Sequence, residues 1–109
     1  MALLFAPQVR EFTKACFVTV GFPPAEAELI ARLMVEANLT GHETHGIRQI
    51  PRYIAHSQNG EIRPGAPVTV VQETAATAVL DGHRTSGFVA ATRGVELAMA
   101  KAKATQVAA

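Results

Sequence analysis

The sequence predicts an α/β chain of the α+β kind: a helical first half, then a β-hairpin and one long helix. Three observations carry this expectation. Apolar residues recur at three- and four-residue steps through residues 7–58, and the cluster Arg63-Pro64-Gly65-Ala66-Pro67 breaks that pattern. Two short β-prone runs and an Ala-rich periodic stretch then follow. The break sets the expected division at 1–62 for a helical lobe and 63–109 for a second lobe.

A first helix is expected over residues 7–20, with Val9, Phe12, Cys16, Phe17 and Val20 on one face and Gly21 as its stop. Pro23 and Pro24 suit the first turn of a second helix, where a missing N–H costs little. Its apolar face would carry Ala27, Ile30, Leu33, Met34 and Ala37, and it would end near residues 38–41. After a polar connection, Ile47, Ile50, Tyr53 and Ile54 resume helical spacing to about Gln58. Pro51 is compatible with a helix only if that helix begins near Ile47 or Arg48. Val68, Val70 and Val71, then Ala78, Val79 and Leu80, read as two strands of a hairpin, with Asp81-Gly82 as the closing turn. A last helix is expected over 86–103, with Lys101 and Lys103 complementing its dipole. Residues 105–109 read as the start of a strand.

Composition narrows the function classes. Hydrophobic residues make up 49% and charged residues 17%, which favours a packed core over disorder. Ten Lys and Arg against nine Asp and Glu give a net charge of +1, so there is no electrostatic footprint for nucleic acid or an anionic membrane. The single Cys16 excludes an internal disulfide; a buried structural thiol in a reducing compartment is expected. The first residues lack a cation ahead of their short apolar run and do not read as a signal peptide. No apolar run approaches the roughly 20 residues that span a bilayer, so a cytoplasmic protein is expected.

Chemistry concentrates in residues 38–53, where His42, Glu43, Thr44, His45, Arg48, Gln49, Arg52 and Tyr53 crowd a loop-to-helix junction. Histidine beside a hydroxyl is a reasonable general acid or base, and the arginine fork matches a carboxylate. Arg48 and Arg52 stand four apart, a spacing that repels unless an anion lies between them. Residue chemistry alone leaves the alternatives open: solvated surface arginines, and a capping or core histidine. A metal is not expected, because His42, Glu43 and His45 lack the His-Glu-x-x-His order and a nearby third ligand. His56 and His83 read as surface residues. No Gly-x-Gly-x-x-Gly occurs, so an ordinary Rossmann site is excluded.

The run from Ala37 to Ile47, then Ile50-Pro51-Arg52-Tyr53, Asn59-Gly60-Glu61-Ile62 and Val79-Leu80-Asp81-Gly82 with Gly87, resembles the malate/L-lactate dehydrogenase type 2 family over almost the whole chain. The resemblance implies a non-Rossmann fold, a homodimer, and hydride transfer between NAD or NADP and a small 2-oxo or 2-hydroxy acid, or a cyclic imino acid. By it, His45 is the proton donor to the carbonyl oxygen and Thr44 takes the place of a serine that orients it. Many members carry, at the place of Gln49, an arginine that grips the substrate carboxylate; either Arg48 or Arg52 takes over that role here, or the substrate differs from that of members with arginine there. The first lobe would be the substrate side and the second the start of the cofactor lobe. Cofactor-binding residues would lie mostly beyond Ala109, and the 109 residues alone would show little or no activity. The competing expectation is a non-catalytic helical binding or dimerisation module.

Overall fold

The computed structural model describes residues 5–109. The expected absence of a leader falls in part on residues 1–4, which lie outside the described residues. Helix α1 spans Ala6–Thr19, with Pro7 in its first turn. Gly21, at φ 110°, closes it. Gly21 N–H donates to the Val18 carbonyl and Phe22 N–H to the Phe17 carbonyl, both at 3.1 Å. This left-handed cap folds Phe22 back onto Phe17, ring centroids 5.6 Å apart and edge to face.

Helix α2 spans Pro24–Leu39 and packs on α1 as a helical hairpin. Its buried stripe is Ala27, Ile30, Ala31, Met34 and Val35, so it is turned toward Ala31 and Val35 from the expected face. Leu33 and Ala37 are only half-buried. On α1 the core side is Thr13 and Phe17, whereas the expected Phe12 is 65% exposed. Thr13 tolerates burial because its hydroxyl donates to the Val9 carbonyl one turn back, at 2.8 Å. Cys16, expected to be buried, is half-buried and free.

Single 3₁₀ turns at Glu43–His45 and Ile47–Gln49 lead into α3, Ile50–Gln58. Pro51 falls in its first turn, where no intrahelical partner for an N–H exists. Helix α3 touches α1. His56, expected at the surface, is half-buried and pairs with Glu61 just past the helix end.

The chain divides into two compact units, one running through Gly65 and the other Ala66–Ala109. In the second, β1 (Thr69–Glu73) and β2 (Ala78–Asp81) pair antiparallel, with Thr69 opposite Asp81 and Glu73 opposite Ala78. The register slips at Val71, which is the extra residue of a bulge. Helix α4, Gly87–Thr105, is capped by Ser86 and lies against β2. Lys101 does more than complement the dipole: its ammonium sits 2.9 Å from the Glu73 carboxylate and donates to the Thr74 carbonyl at 2.6 Å.

Residues 105–109 do not form the expected strand. Helix α4 continues through Thr105, and Gln106 at φ 69° ends it. Strand-like pairing survives at one residue only. Ala109 N–H donates to the Ala76 carbonyl at 2.7 Å, and its own carbonyl accepts from Ala78 N–H at 3.0 Å. Bonding to two residues that flank a third is the pattern of a parallel neighbour. Good helix formers upstream carried the helix as far as Thr105, the first residue of the β-prone run. Among the described residues, no helix is long and apolar enough to cross a membrane.

Candidate active site

The histidine loop begins where α2 is made to stop. Gly41, at φ 88°, donates its N–H to the Asn38 carbonyl at 3.1 Å, and His42 N–H reaches the Ala37 carbonyl at 2.8 Å. This is the same left-handed cap that ends α1, and glycine adopts its backbone at no steric cost. The chain then makes a tight turn, with His45 N–H on the His42 carbonyl at 3.0 Å and Gly46 N–H on the Glu43 carbonyl at 3.2 Å.

On this turn Thr44 and His45 come together as expected, with Thr44 Oγ1 3.1 Å from His45 Nδ1. A hydroxyl can donate to a bare ring nitrogen and accept from a protonated one, so this contact is kept in either protonation state. With Nδ1 paired, Nε2 is the ring nitrogen without a hydrogen-bond partner among the described residues. His45 is exposed rather than held in the core, and it lines a shallow depression with Leu33, Glu36, Ala37, Thr40 and His42. His42 stands edge-on to it, ring centroids 6.4 Å apart.

The three residues expected to hold substrate do not behave alike. Arg48 and Arg52 are exposed and have no ion-pair partner among the described residues. They lie on different elements, the second 3₁₀ turn and the first turn of α3. Gln49 is half-buried, and its Nε2 donates to the Thr44 carbonyl at 2.6 Å. Its amide thus holds the loop.

Two further residues carry the loop without having been singled out in the sequence. Asn38 Oδ1 accepts from Ile47 N–H at 2.8 Å, reaching from the last turn of α2 across the loop. Gly46 is buried beneath that carboxamide: a Cβ there would lie 1.9 Å from Asn38 Oδ1 and 2.5 Å from its Cγ. Gly46→Ala therefore displaces Asn38 and leaves the Ile47 N–H without its partner, at a cost of about 1–3 kcal/mol. The expected result is a melting temperature lower by about 5 °C or more in a thermal scan; an unchanged melt would show that the loop absorbs the extra carbon.

Among the described residues, no three His, Cys, Asp or Glu side chains are placed to hold a metal ion. The loop between β2 and α4, with Gly82 and Gly87, is the nearest approach to a phosphate cradle. Its helix terminus is already filled: Phe88 N–H goes to Ser86 Oγ, and Val89 and Ala90 N–H go to the Ser86 carbonyl.

The chain is similar to several known dehydrogenases. The chain is 36% identical over 104 residues to hydroxycarboxylate dehydrogenase B of Escherichia coli K12, covering 95% of this chain and 29% of that protein. It is 40% identical over 83 residues to L-sulfolactate dehydrogenase of Methanocaldococcus jannaschii, covering 76% of this chain and 24% of that protein. Its backbone superposes on malate dehydrogenase from Pyrococcus horikoshii OT3 with a TM-score of 0.93 at 28% identity, over 95% of this chain and 30% of that one. The class these likenesses define is a dehydrogenase fold, of which the chain spans under a third. Residues 5–109 match the malate/L-lactate dehydrogenase family model, and the chain belongs to that family.

Proposed function

We propose that this chain supplies the proton donor and substrate-side loop of an oxidoreductase that interconverts a small 2-oxo acid and its 2-hydroxy acid. The observation that carries the reading is the exposed His45, held at Nδ1 by Thr44, with no hydrogen-bond partner for Nε2 among the described residues. In reduction, a hydride adds to the carbonyl carbon while His45 gives a proton to the carbonyl oxygen, so the product is the hydroxy acid. NAD or NADP would supply that hydride, held by residues outside those described here. Arg48 and Arg52, without an ion-pair partner among the described residues, are the anion grip in this reading, and Gln49 serves the loop. A homodimer in the cytoplasm fits the same reading. An apolar groove lined by Val9, Phe12, Ile47 and Ile50 favours the second reading, a binding or dimerisation module without chemistry.

A chimera separates the two: residues 5–109 replace the matching part of the E. coli hydroxycarboxylate dehydrogenase. Oxidation of NADH or NADPH with a 2-oxo acid is expected, whereas a folded chimera without turnover would favour the module. In the active chimera, Arg48→Ala with Arg52→Ala is expected to raise KM for the oxo acid about tenfold or more and to lower kcat less. An unmoved KM would place the carboxylate grip elsewhere.

A further inference from the structure

We propose that Asn38 and Gln49 are positioning residues for His45, a pair of side-chain amides that pin the catalytic turn at both ends. The inference rests on the reading of His45 as proton donor and adds what holds that donor in place. Gln49 Nε2 fixes the Thr44 carbonyl at 2.6 Å, and Asn38 Oδ1 fixes the Ile47 N–H at 2.8 Å. Between these two fastened groups the chain contains only His45 and Gly46. The imidazole is thus carried on a span of two residues whose ends are tied to different elements, the last turn of α2 and the 3₁₀ turn before α3.

The surroundings of Asn38 show that the tie is built in. Gly46 is buried, and the space its side chain would fill is the space the Asn38 carboxamide fills. A loop lying on the surface for other reasons would have no need of a bare backbone at that point. Turn hydrogen bonds from His45 and Gly46 to the carbonyls of His42 and Glu43 set the local fold; being internal to the turn, they place no limit on its freedom to move as a unit against α2. The two amides remove that freedom, and proton transfer depends on geometry at the scale of an ångström.

The two clasps have opposite chemistry, and this gives the test. Asn38 acts as an acceptor, so Asn38→Asp keeps its bond. Gln49 acts as a donor, so Gln49→Glu loses its bond and sets a carboxylate against the Thr44 carbonyl. Nitrogen-15 spectra of the 109-residue chain would follow the His45 ring nitrogens, together with hydrogen exchange at the Ile47 amide. Asn38→Asp is expected to match the parent sequence. Asn38→Leu is expected to speed Ile47 exchange about tenfold or more and to shift His45 Nδ1 toward the value of an unrestrained ring. Gln49→Glu is expected to shift the ring signal while the Ile47 amide stays protected. A His45 ring signal unmoved in both Asn38→Leu and Gln49→Glu would overturn the proposal, as would a shift in Asn38→Asp equal to that in Asn38→Leu. If Asn38→Leu fails to fold, Asn38→Ala takes its place with the same two readouts and the same expected outcomes. The ring signal is read without turnover, so a failed clasp is distinguishable from a failed proton donor.

Discussion

Phe17→Ala is expected to cost about 3–5 kcal/mol of stability, the range for removing a buried aromatic side chain. Phe17 is 2% exposed and lies at the end of α1, where it also supplies the edge-to-face partner of Phe22. Removing the ring therefore opens a cavity between α1 and α2 and strips the apolar contact from the cap at Gly21. That contact adds about 0.5–1.5 kcal/mol to the area term. Against a total stability of about 5–15 kcal/mol, the loss is a large share. A thermal or urea melt should show a midpoint lower by about 15 °C or more, or the matching fall in urea midpoint. Phe12→Ala is the control, since Phe12 is exposed and its truncation is expected to stay within about 0.5 kcal/mol. Equal losses from the two substitutions would mean that α1 buries the other face.

That contrast marks where periodicity misleads. The spacing of apolar residues in α1 fits a stripe through Val9, Phe12, Cys16 and Phe17, and no rule of alternation nominates Thr13. The helix nevertheless buries Thr13, because its hydroxyl is satisfied by the Val9 carbonyl of the same helix. A polar residue that carries its own partner costs little to bury, and hydropathy does not register it. The helix stops were legible for the opposite reason. Gly21 and Gly41 act through their own backbone, at φ 110° and φ 88°, so the residue type alone announces the cap. Residues 105–109 show a third case, in which β-prone side chains end beside the Ala76–Ala78 backbone while helix propagation claims the positions before them.

At the candidate site, residue chemistry nominated the Thr44–His45 pair because the two are adjacent, and the 3.1 Å contact follows from a single turn. The clasps were not legible in the same way. Asn38 and Ile47 are nine residues apart, and their contact depends on the path of the whole loop. The buried glycine at position 46 was the available signal, since a glycine following a histidine in a turn asks what approaches its missing side chain. Gln49 is the instructive residue. Its place in the family pattern made it a candidate substrate contact, while the bond to Thr44 gives it another partner within the loop.

His45→Ala in the active chimera is expected to lower turnover of a 2-oxo acid about hundredfold or more, which is about 2.7 kcal/mol of transition-state stabilisation. The substitution removes a group that acts only as the carbonyl oxygen gathers charge, so kcat and kcat/KM should fall together while KM changes little. The fold should be untouched, because the ring is exposed and it meets Thr44 at Nδ1 and the edge of the exposed His42 ring. Thr44→Val is the graded companion. It keeps the shape of the side chain but deletes the hydroxyl at Nδ1, and a fall of about tenfold is expected from one lost hydrogen bond to the ring. The order of the two effects tests the assignment of roles. A histidine that merely capped the turn would give small losses for both, and a large loss from Thr44→Val with a small one from His45→Ala would move the chemistry to the hydroxyl.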